Sequence, residues 1–255
     1  MRRRGPARAG EGEDRATLID LVLAGRDALV IGRGDEPEFK TIKLLDAKAR
    51  VTVLGGSFTE GLRRLASRNP RRVRLVLGEP TVALVIKMVE EKAPLAVFIS
   101  TGDGSLDERL SDALKAVKSR VPLVCVVDEP RLNDFNMPAI AKVGDIRVGV
   151  STGGRSPAMA GILRRRLEEA ITPEDVLQVR LQGFIRKASK RRLKDPASRK
   201  VFAYKVIRDR RIGALLRKKD YARARRRAEE MLVEEATARG ISDSLPTRVE
   251  ATRRA

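Results

Sequence analysis

Three turns carry the residue types best suited to chemistry. The apolar run 123–127 ends on Asp128, held in the turn Asp128-Glu129-Pro130, where Pro130 cannot continue a strand ladder. Further on, the strand 146–150 runs straight into Ser151-Thr152-Gly153-Gly154-Arg155-Ser156-Pro157. Hydroxyls, two glycines that let backbone come close and a guanidinium, all ahead of a helix, suit an anionic ligand. The third turn, Ile31-Gly32-Arg33-Gly34-Asp35-Glu36-Pro37, follows a strand and opens a helix, the setting of a dinucleotide-binding turn. There Gly32 permits the tight turn and Gly34 lets a pyrophosphate approach the backbone. Pro37 stands where a third small residue is expected, and no acid follows near Leu54 to hold a ribose.

A dehydrogenation that removes a hydride and a proton needs a base near the nicotinamide. The chain has no histidine, so a carboxylate, Asp128, is the natural candidate. Plainer readings stand beside these. The Gly32 turn also fits an α/β domain without cofactor, and Asp128 fits a turn former before Glu129-Pro130. Ser151 to Pro157 fits a helix cap, and Thr101-Gly102-Asp103 a simple loop. Cys125, inside the buried run, reads as core rather than nucleophile.

The elements that must position these turns alternate. Strands are predicted over 28–31, 50–54, 72–77, 95–100 and 123–127, with helices over 38–47, 59–67, 81–91 and 105–119 between them. That alternation predicts an α/β fold with a doubly wound, mostly parallel sheet, whose ligands bind beyond the strand carboxyl ends at the switch in strand order. Gly32, Thr101 and Asp128 all fall at such ends and share one rim. After Pro157 the pattern turns helical, first over 158–170 with a basic Arg164-Arg165-Arg166 face. Thr172 then caps a helix with Pro173 at its first position and acids in its first turn. From there to about Thr237 only helices are predicted, broken near Asp195-Pro196 and Lys219-Asp220.

Composition narrows the partner. A formal net charge of +20 over 255 residues calls for an anion: nucleic acid, phosphates, a membrane surface or a polycarboxylate. Residues 172–255 hold 24 basic against 11 acidic side chains, so most of the excess lies there. With aromatics at 3%, the basic region offers phosphate contacts but no stacking platform, which disfavours nucleic acid. One cysteine and no histidine exclude a disulfide framework and the usual zinc site, and fit a reducing cytoplasm. No apolar run is long enough to span a membrane, and the basic N-terminus lacks the apolar stretch of a signal peptide.

In order along the chain, Gly32-Arg33-Gly34-Asp35 after a strand, Asp128 in VVDEP, Phe135, Met137-Pro138-Ala139 and Ser151 to Pro157 resemble the precorrin-2 dehydrogenase family, the N-terminal module of siroheme synthases. The resemblance implies an NAD-dependent oxidoreductase that converts precorrin-2 to sirohydrochlorin as a homodimer. It implies a Rossmann-like domain over 16–128, a central dimerisation and substrate segment over 129–171 and an all-helical domain over 172–238. Residues 1–15 are expected to be disordered and 239–255 a flexible tail. The family's essential aspartate falls on Asp128 and its cofactor turn on Gly32, Arg33, Gly34, Asp35 and Glu36. The resemblance implies further cofactor contacts at Gly56 and Ser57, and Thr101 on the same rim is counted with them. Ser151, Thr152, Gly153, Gly154 and Arg155 are expected beside the tetrapyrrole. The chain departs from the family at Arg33, where Gly is usual, at Pro37, where a small residue stands, at Gly102 for Asp and at Cys125 for Asn. Some members also insert ferrous iron, so a bifunctional chelatase stays open. The third reading is a non-enzymatic Rossmann-like domain tethered to basic, nucleic-acid-binding helices.

Overall fold

A computed structural model describes residues 16–117, 122–127 and 129–239. Asp128 and the expectations for 1–15, 118–121 and 240–255 lie outside the described residues.

Five strands, β1 (Asp27–Gly32), β2 (Arg50–Gly55), β3 (Val73–Leu77), β4 (Ala96–Ser100) and β5 (Leu123–Val126), form one parallel sheet in the order β3-β2-β1-β4-β5. Strand alternation sorts their side chains into two cores. Leu29, Ile31, Val97, Ile99, Val124 and Val126 pack against Val85 and Met88 of α3 (Val82–Lys92) and Leu110 and Leu114 of α4 (Gly104–Ala116). Ala28, Val30, Val51, Val53, Phe98 and Cys125 pack against Leu44 of α1 (Glu36–Asp46) and Leu62 of α2 (Glu60–Arg68). Strands buried on both faces must be apolar throughout, which is why they read as continuous Val/Leu/Ile runs. The first two crossover helices cover one face and the next two the other, so the sheet is doubly wound. Its order turns between β1 and β4, the position where such sheets open a ligand crevice.

The expected strands and helices of this region are all present. Local caps set the helix starts: the side chains of Thr59, Thr81 and Asp103 accept the N–H groups of Leu62, Leu84 and Ser105 at 3.1, 3.2 and 3.0 Å. Phe135 and Met137 serve packing. Phe135 meets Phe98 edge-to-face at 5.5 Å between ring centroids, and both join the α1–α2 side of the core.

The chain divides into two compact units. One runs to Pro138 and takes in Ser151–Ser156; the other holds Ala139–Val150 and everything from Pro157 on. The segment 129–171 is thereby shared between them. In the second unit β6 (Ala139–Val143) pairs antiparallel with β7 (Ile146–Val150) around Gly144, whose φ of +58° favours glycine. α5 (Pro157–Ala170) packs on this hairpin. Sequence patterning does not predict β6, since Ala-Ile-Ala-Lys-Val shows little strand character until its partner is known. Then follow α6 (Pro173–Arg192), α7 (Pro196–Arg208), α8 (Arg210–Arg217) and α9 (Tyr221–Ala238), around a core that includes Leu181, Ile185, Phe202, Ile212, Leu216 and Leu232. Thr172 caps α6 as expected and forms a capping box, with Asp175 as its reciprocal partner. One further break divides the helices. Asp209 ends α7 and caps α8, accepting the Ile212 N–H at 2.8 Å, whereas a lone Asp among arginines reads in sequence as ordinary helix surface.

Candidate functional site

The β1 turn is shaped by close backbone approach. Gly32 pairs with Ser100 of β4, and a Cβ there would collide with the Ser100 carbonyl oxygen. Arg33 N–H donates to that same carbonyl at 3.3 Å, and Gly34 takes a left-handed φ of +72° with open space where a Cβ would stand. α1 then starts without a side-chain cap, unlike α2, α3 and α4, so the N–H groups of Glu36 and Glu38 remain free to meet an anion, while Pro37 between them has none. The Arg33 guanidinium reaches across to β4, where a Cβ on Gly102 would lie 3.1 Å from its Nε.

A cleft of about 720 Å³ opens here. Arg33, Asp35, Glu36 and Phe39 line one side, Ser100, Gly102, Gly104 and Asp107 another, and Val127 and Glu129 a third. It spans the switch between β1 and β4. Three of its acids are already engaged: Glu36 by Lys40 at 3.6 Å, Glu129 by Arg131 at 3.0 Å, and Asp107 by Thr101. The Glu129 carboxylate in turn holds the Arg131 guanidinium above its ordinary pKa. Uncapped helix, left-handed glycine and Arg33 together fit a pyrophosphate.

Thr101 sits differently from its neighbours. It is buried, and both its N–H and its hydroxyl donate to Asp107 Oδ1, at 3.1 and 2.5 Å. Its side chain fastens β4 to α4, leaving Ser100 and Gly102 to face the cleft. At β5, Val127 and Glu129 flank Asp128 in the chain and both line the cleft. Cys125, buried within β5, has its thiol pushed up by burial, as a core residue would.

The ends of β2 and β3 adjoin the same turn. A Cβ on Gly55 would collide with the Gly32 carbonyl oxygen, so the β1 and β2 ends touch. Gly56 and Ser57 are exposed just beyond. No acid stands directly after Leu54 at the end of β2, yet one arrives from elsewhere: the Glu79 carboxylate lies against Gly56. That placement needs the strand order and has no local signature. Phe39 also escapes sequence reasoning, although its position off the Leu44–Leu45 stripe of α1 leaves an aromatic ring 57% exposed beside the turn.

The Ser151 to Ser156 turn builds its own scaffold. Thr152 Oγ1 accepts the Ser156 N–H at 3.1 Å, and Ser151 Oγ accepts that of Gly153 at 3.3 Å. Gly153 and Gly154 take left-handed φ values of +60° and +78°. A Cβ on Gly154 would lie 4.0 Å from Pro130, so this turn comes up to the segment just after Asp128. Ser151 and Arg155 are exposed, and among the described residues no ion pair engages Arg155.

A second cleft, of about 640 Å³, lies in the helical unit among Val201, Tyr204, Arg208 and Met231. It lacks the glycine turns and free helix start of the first, which is the candidate on chemical grounds. Among the described residues no helix is long and apolar enough to cross a membrane.

Residues 19–139 match a family described as "Putative NAD(P)-binding", and residues 143–170 one described as "Sirohaem biosynthesis protein central". Siroheme synthase 2 of Klebsiella pneumoniae subsp. pneumoniae is 33% identical over 220 residues, covering 86% of this chain and 45% of that protein. The siroheme synthases of Enterobacter sp. (strain 638) and Salmonella typhimurium are each 32% identical, with the same two coverages. The chain spans about half the length of the curated relatives it matches. A solved structure named precorrin-2 dehydrogenase shares the fold, with a TM-score of 0.64 at 15% identity, covering 84% of this chain and 100% of that one.

Proposed function

The chain belongs to the siroheme synthase N-terminal-module family, and from that premise we propose that it is a precorrin-2 dehydrogenase, oxidising precorrin-2 to sirohydrochlorin with NAD⁺. The observation that carries this reading is the cleft at the β1–β4 switch, where the turn Gly32, Arg33, Gly34, Asp35, Glu36 and both chain neighbours of Asp128 come together. The free N–H groups of α1 and the Arg33 guanidinium would hold the cofactor's pyrophosphate. Bound there, NAD⁺ supplies the hydride acceptor.

Asp128 takes the proton released with the hydride, or fixes the tetrapyrrole so that its reacting carbon faces the cofactor. Ser151 and Arg155, exposed on a turn that reaches Pro130, supply a hydroxyl and a guanidinium for the substrate's carboxylates. The basic excess of the chain favours the encounter with a polyanion. A homodimer is part of the proposal: Ile140 on β6 and Met159 on α5 are 45% and 43% exposed, apolar side chains that a second copy would cover.

The test is an NAD⁺-dependent absorbance assay with precorrin-2 generated in situ. Asp128→Ala is expected to keep the wild-type melting curve and to lose activity by roughly 100-fold or more. Full activity in that variant refutes the assigned role.

A further inference from the structure

The carboxylate missing from the end of β2 comes from the next strand. We infer that Glu79 accepts the adenosine ribose hydroxyls and selects NAD over NADP, an inference that rests on the nicotinamide-cofactor reading above. In a Rossmann sheet the acid that holds the ribose stands at the carboxyl end of the second strand. Here that end is Gly55-Gly56-Ser57.

β3 runs parallel to β2 as far as Gly55 opposite Leu77, and Gly78 N–H donates to the Gly55 carbonyl at 3.0 Å. The turn after β3 is thereby tied beside the β2 end. Glu79 in that turn lays its carboxylate on Gly56, where a Cβ would overlap Oε1 and stand 3.3 Å from Oε2. Gly56 leaves the space and Glu79 fills it. Gly55 in turn abuts the Gly32 carbonyl, so the carboxylate lies on the strand end adjoining the cofactor turn.

Glu79 is exposed, and among the described residues no hydrogen bond or ion pair engages its carboxylate. Both oxygens are open to hydroxyl donors. Glu38, the other acid against a glycine of this region, is already bound by the Thr59 hydroxyl. A carboxylate in the Glu79 position accepts from vicinal ribose hydroxyls and repels a 2′-phosphate by like charge.

Binding, rather than turnover, reads this out. NADH and NADPH are titrated by nicotinamide fluorescence into the wild type, Glu79→Gln and Glu79→Arg. Wild type is expected to prefer NADH by at least about 10-fold; Glu79→Gln weakens NADH by about 10-fold and brings the ratio towards one; Glu79→Arg favours NADPH. Glu79 is exposed, so melting temperatures should not move. An unchanged NADH:NADPH ratio in Glu79→Gln, or a wild type that prefers NADPH, overturns the inference and leaves the cofactor reading standing. A wild type that binds neither dinucleotide overturns both.

Discussion

Asp107 Oδ1 receives two hydrogen bonds from one residue, the Thr101 hydroxyl and the Thr101 backbone N–H. Both partners are buried, so the pair locks the carboxyl end of β4 to the first turn of α4 and aims the Ser100 and Gly102 backbone at the cleft. Asp107→Ala leaves the Thr101 N–H unsatisfied in the interior and its hydroxyl with only the longer bond to the Asp103 carbonyl, at 3.3 Å. It is expected to lower stability by about 2 kcal/mol in urea denaturation. NADH affinity should fall with it, because the β4 loop loses its fastening.

Gly32 tolerates no side chain, because the obstacle is backbone rather than a flexible tip. Gly32→Ala must push β1 away from β4 where the two strands end. A loss of about 1–3 kcal/mol is expected, together with at least a 10-fold drop in NADH affinity, about 1.4 kcal/mol. Calorimetric melting and a fluorescence titration measure the two effects separately.

The outer edge of β5 is closed by side chains in place of a sixth strand. Asn133 Oδ1 accepts the Val126 N–H at 2.5 Å, Asp134 Oδ2 that of Val124 at 2.9 Å, and Asp134 N–H returns a bond to the Val124 carbonyl at 2.9 Å. Asn133→Ala and Asp134→Ala each open one amide, at a cost of about 1 kcal/mol. Amide hydrogen exchange at Val126 and Val124 should speed up respectively, while β1 amides stay protected. Equal exchange in variant and wild type would show the edge to be covered by other means.

In the helical unit Glu235 accepts from Lys205 at 2.6 Å and from Arg239 at 2.8 Å, and these two cations hold its carboxyl below the usual glutamate range. Its folded pKa lies below its unfolded one. The stabilisation is therefore complete above the unfolded value of about 4.3 and is lost as pH falls through the depressed folded value. Glu235→Gln should be less stable than wild type at pH 7 by about 0.5–1 kcal/mol, and the two melting temperatures should converge in acid. A constant gap from pH 7 down to strongly acid solution would contradict the assignment.

Ile140→Glu and Met159→Glu test the proposed dimer. Both side chains are partly exposed in the single chain, and a melting curve of each variant checks that the subunit still folds. Sedimentation should show wild type as a dimer and each variant shifted towards monomer, because a charge buried at an interface without a partner is costly.

Much of the first unit is legible in the chain's local patterns. Val, Leu and Ile runs between amphipathic stretches give each strand and helix, and Thr59 and Thr81 mark helix starts by chemistry that acts within four residues. β6 and the Asp209 break are not legible there because each depends on a neighbour: β6 on its hairpin partner, Asp209 on the Ile212 N–H it meets once α7 stops.

The sequence by itself determined the alternating elements and the glycine turn at the start of α1, since each follows from steric and apolar patterns among residues close in the chain. Only the tertiary structure decided which side chains meet across strands. Glu79 reaches Gly56 because β3 lies beside β2, and Thr101 turns inward because Asp107 waits one helical turn into α4. Strand order brings such pairs together, and strand order is set by burying both faces of the whole sheet at once, a condition no local stretch of sequence can express.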